Sequence, residues 1–184
     1  MPPKAKVTKE DIVNAAVAIV RKSGAQALNA RTVAAALNCS TQPIFSNFAT
    51  MEALRYAVVE VAEKCYEEYA RQEIASERYP VYKATGMAYI RFAREEKELF
   101  KLLFMRDRSA ETIPGFSADL SDLVKNTTGL REKTAERFHL EMWAYVHGIA
   151  TMMATNYLEL DRELVSEMIT DAYQGLKTRY EAKG

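Results

Sequence analysis

Apolar residues recur at intervals of three and four along almost the whole of this 184-residue chain, and no stretch alternates apolar with polar residues as a half-buried strand would. A period near 3.6 places those residues on one side of a helix, so the chain must bury helical faces against one another. Only 7 glycines and 5 prolines interrupt the pattern. The fold class predicted is all-α, with enough chain for one domain or two small ones.

The breaks order the helices. From Thr8 to Gly24, Ile12, Ala15, Ala16, Ile19 and Val20 share a face, Thr8 is placed to cap and Gly24 to terminate. A short second helix is expected from Asn29, its cap, through Val33, Ala36 and Leu37. In "NCSTQPIFSNF", Asn38 suits a left-handed turn position, and Ser40 is expected to cap a third helix running from Thr41 to about Phe48. Pro43 then falls in the first turn, where its missing N–H has no partner to lose. Two short helices joined by a three-residue turn make a helix-turn-helix, with small Ala34 where the axes cross closely.

A long amphipathic helix is expected from Thr50 to about Ala75, with Leu54, Ala57, Val58, Val61, Cys65 and Tyr69 on one face. Pro80 ends that region. Beyond it the sequence predicts a helix from Val81, a break near Glu96, a short helix, a turn at 113–116, a short helix at 117–125, and long helices within 131–160 and 161–182.

The formal net charge is zero, yet residues 1–50 carry six basic side chains (Lys4, Lys6, Lys9, Arg21, Lys22, Arg31) against Glu10 and Asp11, a net +4 balanced by −4 elsewhere. That is the distribution a nucleic-acid-binding head on an acidic body requires, because phosphate neutralisation supplies most non-specific affinity. Residues 1–7 are read as a mobile basic arm, with Lys4, Lys6 and Lys9 loosely attracted to phosphate. Cys39 and Cys65 show no metal-ligand or redox spacing, and no metal or cofactor is expected. The start "MPPKAKVTKE" has no apolar core and no apolar run reaches membrane-spanning length, so a cytoplasmic protein is expected and the sequon at Asn126 carries no meaning.

Residues 10–58, with Ala15, Ala16, Gly24, Val33, Ala34, "CSTQPIFSNF" and "EALRYAV", resemble the N-terminal domain of the TetR family of bacterial transcriptional regulators. The C-terminal part is similar to the subgroup with a Trp-His-Gly signature, here Trp143, His147 and Gly148 in "WAYVHGIA", together with "AYIRFAREEKELFKLLF" at 88–104. The resemblance implies a homodimer that binds a palindromic double-stranded DNA operator, usually represses, and releases DNA when a small molecule enters the C-terminal domain. It divides the chain into a head at 1–48 and a ligand-binding and dimerisation body at 49–184. The chain departs from the family pattern at Phe45, where tyrosine is common, at Met51, where lysine is usual, and at Asn38, where glycine is frequent. The first two remove phosphate contacts.

A recognition helix presents its N-terminal residues to base edges. Gln42 can pair bidentately with adenine, and Thr41 and Pro43 can touch thymine methyls. Phe45, Ser46 and Asn47 follow on the same short helix; Asn29, Arg31 and Thr32 sit at the start of the second, and Lys6 in the arm. The same residues also fit a solvated polar face. For the body, Tyr66, Met87, Phe104, Phe116, Trp143 and His147 are candidate lining of a pocket for an apolar or aromatic effector, and each equally suits a core. Trp143 is expected near the interior. Candidate dimer residues are Phe138, Met142, Tyr145, Ile149 and Met152 on one long helix, with Leu164, Met168 and Leu176 on the next.

Catalysis finds little footing. Glu136 and His139 have the Glu-x-x-His spacing of helical di-iron sites, but such a site needs the pair twice, and His147 is the one other histidine. No enzymatic role is expected. The main rival reading is a helical ligand-binding or protein-interaction domain with a weakened or relic DNA-binding head.

Overall fold

The computed structural model describes residues 7–106 and 118–182, all helix, turn or loop, with no strand among them. Lys6, Phe116 and the turn expected at 113–116 lie outside the described residues. Helix α1 spans Lys9–Ser23 and opens on a reciprocal cap. Thr8 Oγ1 accepts from the Asp11 amide at 3.1 Å, while the Asp11 carboxylate accepts from the Thr8 amide at 2.9 Å. It closes at Gly24, whose φ of 78° is a conformation L side chains rarely adopt. A 3₁₀ turn, Ala25–Ala27, leads to α2, Ala30–Ala36, and Asn38 takes φ 49° in the turn before α3, Gln42–Asn47. The cap of α3 is Thr41 rather than Ser40, and its side chain makes no capping hydrogen bond. Pro43 at the start of the helix already fixes the backbone there.

The remaining helices are α4 (Met51–Ala75), α5 (Val81–Glu95), α6 (Lys97–Phe104), α7 (Ala118–Thr128), α8 (Glu132–Ala154) and α9 (Arg162–Glu181). The break at Glu96 is real: its φ of −120° and ψ of 51° interrupt the helical run between α5 and α6.

The described residues form two compact units, one made of those up to Cys65 with Glu96–Arg106, the other of Tyr66–Glu95 with those from Ala118 onward. In the first, Ile12, Ala16 and Val20 of α1 are buried together with Val33, Ile44 and Leu54 from the next three helices. Helix α6 completes this core through Leu99, Phe100 and Leu103, packing against α1. Arg21 clamps the joint, donating from Nε and Nη2 to the two oxygens of Glu96 at 2.9 Å each, with Nη2 3.7 Å from Cys65 Sγ. Burial pushes the Cys65 thiol up from its ordinary value, which favours the protonated form.

In the second unit α5 lies along α8, and α7 and α9 flank α8. Its centre is Phe138, fully buried, with its ring 5.4 Å from Tyr173 and 6.1 Å from Tyr180. Glu73, on the last turns of α4, is 3% exposed. It is held by Arg162 at the start of α9 and, at 3.8 Å, by Arg91 of α5.

Candidate functional site

The first turns of α2 and α3 carry the polar residues the sequence singles out, and the structure divides them by what their side chains already do. Asn29 Oδ1 accepts from the amides of Arg31 (3.0 Å) and Thr32 (3.1 Å), and Thr32 Oγ1 accepts in turn from the Asn29 amide at 3.1 Å. Both therefore serve first as the cap of α2, holding its N-terminus in place. Ser46 Oγ donates to the Gln42 carbonyl at 2.9 Å, and Asn47 Nδ2 to the Pro43 carbonyl at 2.8 Å. These two are turned back along their own helix.

Gln42 and Arg31 differ. Both are exposed, and neither side chain makes a hydrogen bond or ion pair among the described residues. Thr41 and Pro43 are half-buried beside them, and Phe45 stands 51% exposed on the next turn. An exposed primary amide and guanidinium with nothing to satisfy within the protein are free to pair with an external polar edge or anion. The opening of α4 is fastened to the segment ahead of α2: Arg55 Nη2 donates to the Leu28 carbonyl at 3.2 Å. Sequence spacing gave no sign of that tie. Among the described residues no group of three or more His, Cys, Asp or Glu could hold a metal ion. His139, half of the Glu-x-x-His pair, has its Nδ1 3.0 Å from the Tyr82 hydroxyl.

The five candidate pocket residues among the described residues fall in three places. Phe104 belongs to the first unit, its ring 5.2 Å from Phe100. Met87 is 5% exposed and lines a cleft of about 20 Å³ that contains none of the others. Tyr66, Tyr89, His147 and Trp143 instead form a connected row. The Tyr66 and Tyr89 rings lie 5.8 Å apart, the Tyr89 hydroxyl is 2.9 Å from His147 Nδ1, and the His147 ring stacks on Trp143 at 5.0 Å. Burial pushes the Tyr66 hydroxyl up to about 12, so it stays protonated. Trp143 itself is 46% exposed, not interior, because the rest of the chain leaves that face of α8 uncovered.

The dimer candidates divide by burial. Phe138, Met142 and Ile149 are 0–3% exposed, packed against their own chain's helices. Tyr145 and Leu164 are exposed at 38% and 42%, and Met152, Met168 and Leu176 are half-buried. The open stripe on α8 runs through the exposed Leu140, Trp143 and Ala144 to the half-buried His147 and Gly148. A Cβ placed on Gly148, or on Gly175 of α9, would meet nothing within 4 Å. Helix α8 has apolar residues on more than one face, and periodicity alone did not say which face its own neighbours take.

Burial holds both imidazoles below the ordinary 6.5, so each is neutral at pH 7. A depressed folded-state value means the unfolded chain binds the proton first. The stability these two groups contribute is therefore present above about pH 6.5 and lost as pH falls from there through the folded-state values. Urea unfolding at pH 7.5 and 5.5 should show a loss at the lower pH that shrinks when both are changed, His139→Gln with His147→Gln.

The family model described as "Tetracyclin repressor-like, C-terminal domain" matches residues 82–173, half of the chain. No curated protein matches it. Solved structures share the fold, among them the three that follow. A TetR-like transcriptional regulator from Rhodococcus sp. RHA1 has a TM-score of 0.68 and 12% identity, over 91% of this chain and 94% of that one. A TetR family member from Streptomyces coelicolor A3 has a TM-score of 0.61 and 18% identity, over 89% and 96%. The multidrug binding protein EbrR, complexed with imidazole, has a TM-score of 0.56 and 17% identity, over 89% and 88%.

Proposed function

Because this chain belongs to the tetracyclin-repressor-like (TetR) family, we propose that it is a homodimeric, cytoplasmic transcriptional regulator that binds a palindromic operator through α3 and represses until a small molecule enters its body. The observation that carries the reading is the pairing of an exposed, unengaged Gln42 on the first turn of α3 with an equally unengaged Arg31 on α2. In the major groove Gln42 reads a base, while Arg31 neutralises phosphate without regard to sequence. Gln42→Ala should relax base preference at one position per half-site and cost about 1–3 kcal/mol, whereas Arg31→Ala should weaken every sequence alike and flatten the salt dependence. Fluorescence anisotropy on matched and mutated duplexes across a salt series checks both.

The uncovered stripe of α8 supports the dimer, with the half-buried Met168 and Leu176 of α9 as further contacts. Gly148 has open space on that stripe, which lets a second helix approach closely. Gly148→Leu should leave the protomer folded, since nothing lies within 4 Å of the added Cβ, yet weaken association about ten- to a hundredfold by overpacking the interface. Sedimentation velocity across a dilution series reads this directly. The positions Trp143, His147 and Gly148 also support placement in the Trp-His-Gly subgroup. Helix α4 contributes residues to both compact units, so an apolar or aromatic effector that favours one pose of α4 over another changes the spacing of the two heads and with it operator affinity.

A second reading draws support from Phe45, which is exposed and lacks a hydroxyl, and from Ser46 and Asn47, which are bonded to their own helix. In it the body binds its ligand and the head has lost most of its grip on DNA. The two readings part on whether any duplex is bound specifically.

A further inference from the structure

The loop between α4 and α5 carries Tyr79, half-buried, immediately ahead of Pro80. Two cations lie against its ring. The Lys83 ammonium of α5 stands 4.6 Å from the ring centroid and the Arg162 guanidinium of α9 stands 5.7 Å from it. Lys83 is fixed there by donating to Thr170 Oγ1 at 2.8 Å, and Arg162 by its pair with Glu73 of α4. Ser166, one turn along α9, and Arg162 also hydrogen-bond the Tyr79 oxygen. Burial by itself would push this hydroxyl up, but those hydrogen bonds, with the charges of Arg162 and Lys83, hold it below its ordinary value. Tyr66, Tyr82 and Tyr180 are in the opposite setting, each pushed up by burial, Tyr180 also by the Glu141 carboxylate.

We infer that Tyr79 is a nucleophile for activated acyl donors, a class that includes acyl phosphates and acylimidazoles, and that it becomes O-acylated ahead of phenols far more exposed. A phenol attacks through its ionised form, and two fixed cations with hydrogen-bond donors favour that form at this oxygen. The Tyr79 oxygen adds to the carbonyl carbon of the donor and forms the ester C–O bond. The bond from that carbon to the leaving group breaks, imidazole or phosphate departs with the electron pair, and the phenolic proton ends on it or in the buffer. An aryl ester oxygen is a weak acceptor, so acylation also loosens the loop from Ser166 of α9. None of this depends on the DNA-binding reading.

The test is a time course of the full chain with N-acetylimidazole at pH 7.5, mapped by mass spectrometry, with hydroxylamine to separate phenyl esters from lysine amides. Exposure alone would put Tyr157 (77% exposed) and Tyr56 (62%) first. Tyr79 should instead react first, about tenfold faster than either. Lys83→Met should slow acylation of Tyr79 about tenfold relative to Tyr56 in the same sample, while Lys83→Arg, which keeps the charge, should stay within about twofold of the unaltered chain. Acylation of Tyr56 or Tyr157 as fast as Tyr79, no hydroxylamine-labile acetyl group on Tyr79, or an unchanged rate in Lys83→Met would each overturn the inference. A Lys83→Arg protein as slow as Lys83→Met would do the same, because the charge would then play no part. The assay contains no DNA, so its failure and that of the regulator reading are separate results.

Discussion

Phe138→Ala is expected to lower the free energy of unfolding by about 3–5 kcal/mol, enough to leave a domain of this size marginal. The ring is fully buried and meets Tyr173 and Tyr180 of α9 and, at 6.5 Å, Tyr82 of α5. Removing it empties a site walled by three rings on two helices, none of which can move in alone. The loss should be seen in urea unfolding and should be the same at low and high protein concentration, because the residue faces its own chain. A variant of unchanged protomer stability but weakened association would place Phe138 at an interface after all.

Phe138 also marks what the sequence could and could not show. Its spacing with Met142 and Ile149 identified an apolar face of α8 correctly, and the long-helix boundaries, the Gly24 stop, the Asn38 turn and the break at Glu96 all followed from local chemistry that acts over a few residues. Which apolar face of α8 meets its own protomer depends on helices far away in sequence, and Leu140, Trp143 and Gly148 emerged as the open stripe only when those helices were in place. The same holds for α6. Its sequence reads as a short amphipathic helix, yet nothing local says that Leu99 and Phe100 pack with α1, or that Glu96 meets Arg21 across 75 positions. At the candidate site, residue types pointed to Gln42 and Arg31 and equally to Asn29, Thr32, Ser46 and Asn47. The hydrogen bonds that occupy the last four are what separate them.

The second large effect is expected at the buried carboxylate. Arg162→Met should destabilise the body by about 3 kcal/mol, because it removes the closer partner of Glu73, a residue 3% exposed, and leaves its charge with Arg91 alone at 3.8 Å. Most of that cost is an uncompensated charge in a low-dielectric site, not the lost attraction itself. Adding Glu73→Met to the same chain should therefore recover much of the stability, although the double variant has even fewer polar contacts. Urea unfolding of the two single variants and the double variant forms a cycle, and a double variant less stable than Arg162→Met would show that the charge was not the source of the loss.

The regulator reading is tested most directly by selecting with the full-length protein from an unbiased pool of random duplexes at low salt, then titrating the enriched sequence against rising salt. The account predicts enrichment of a palindrome whose half-sites are centred about 34 Å apart, one turn of DNA, bound by two chains, with affinity falling linearly in log–log form as salt increases. A pool that emerges with no enriched sequence, from protein that is folded and dimeric, would contradict it.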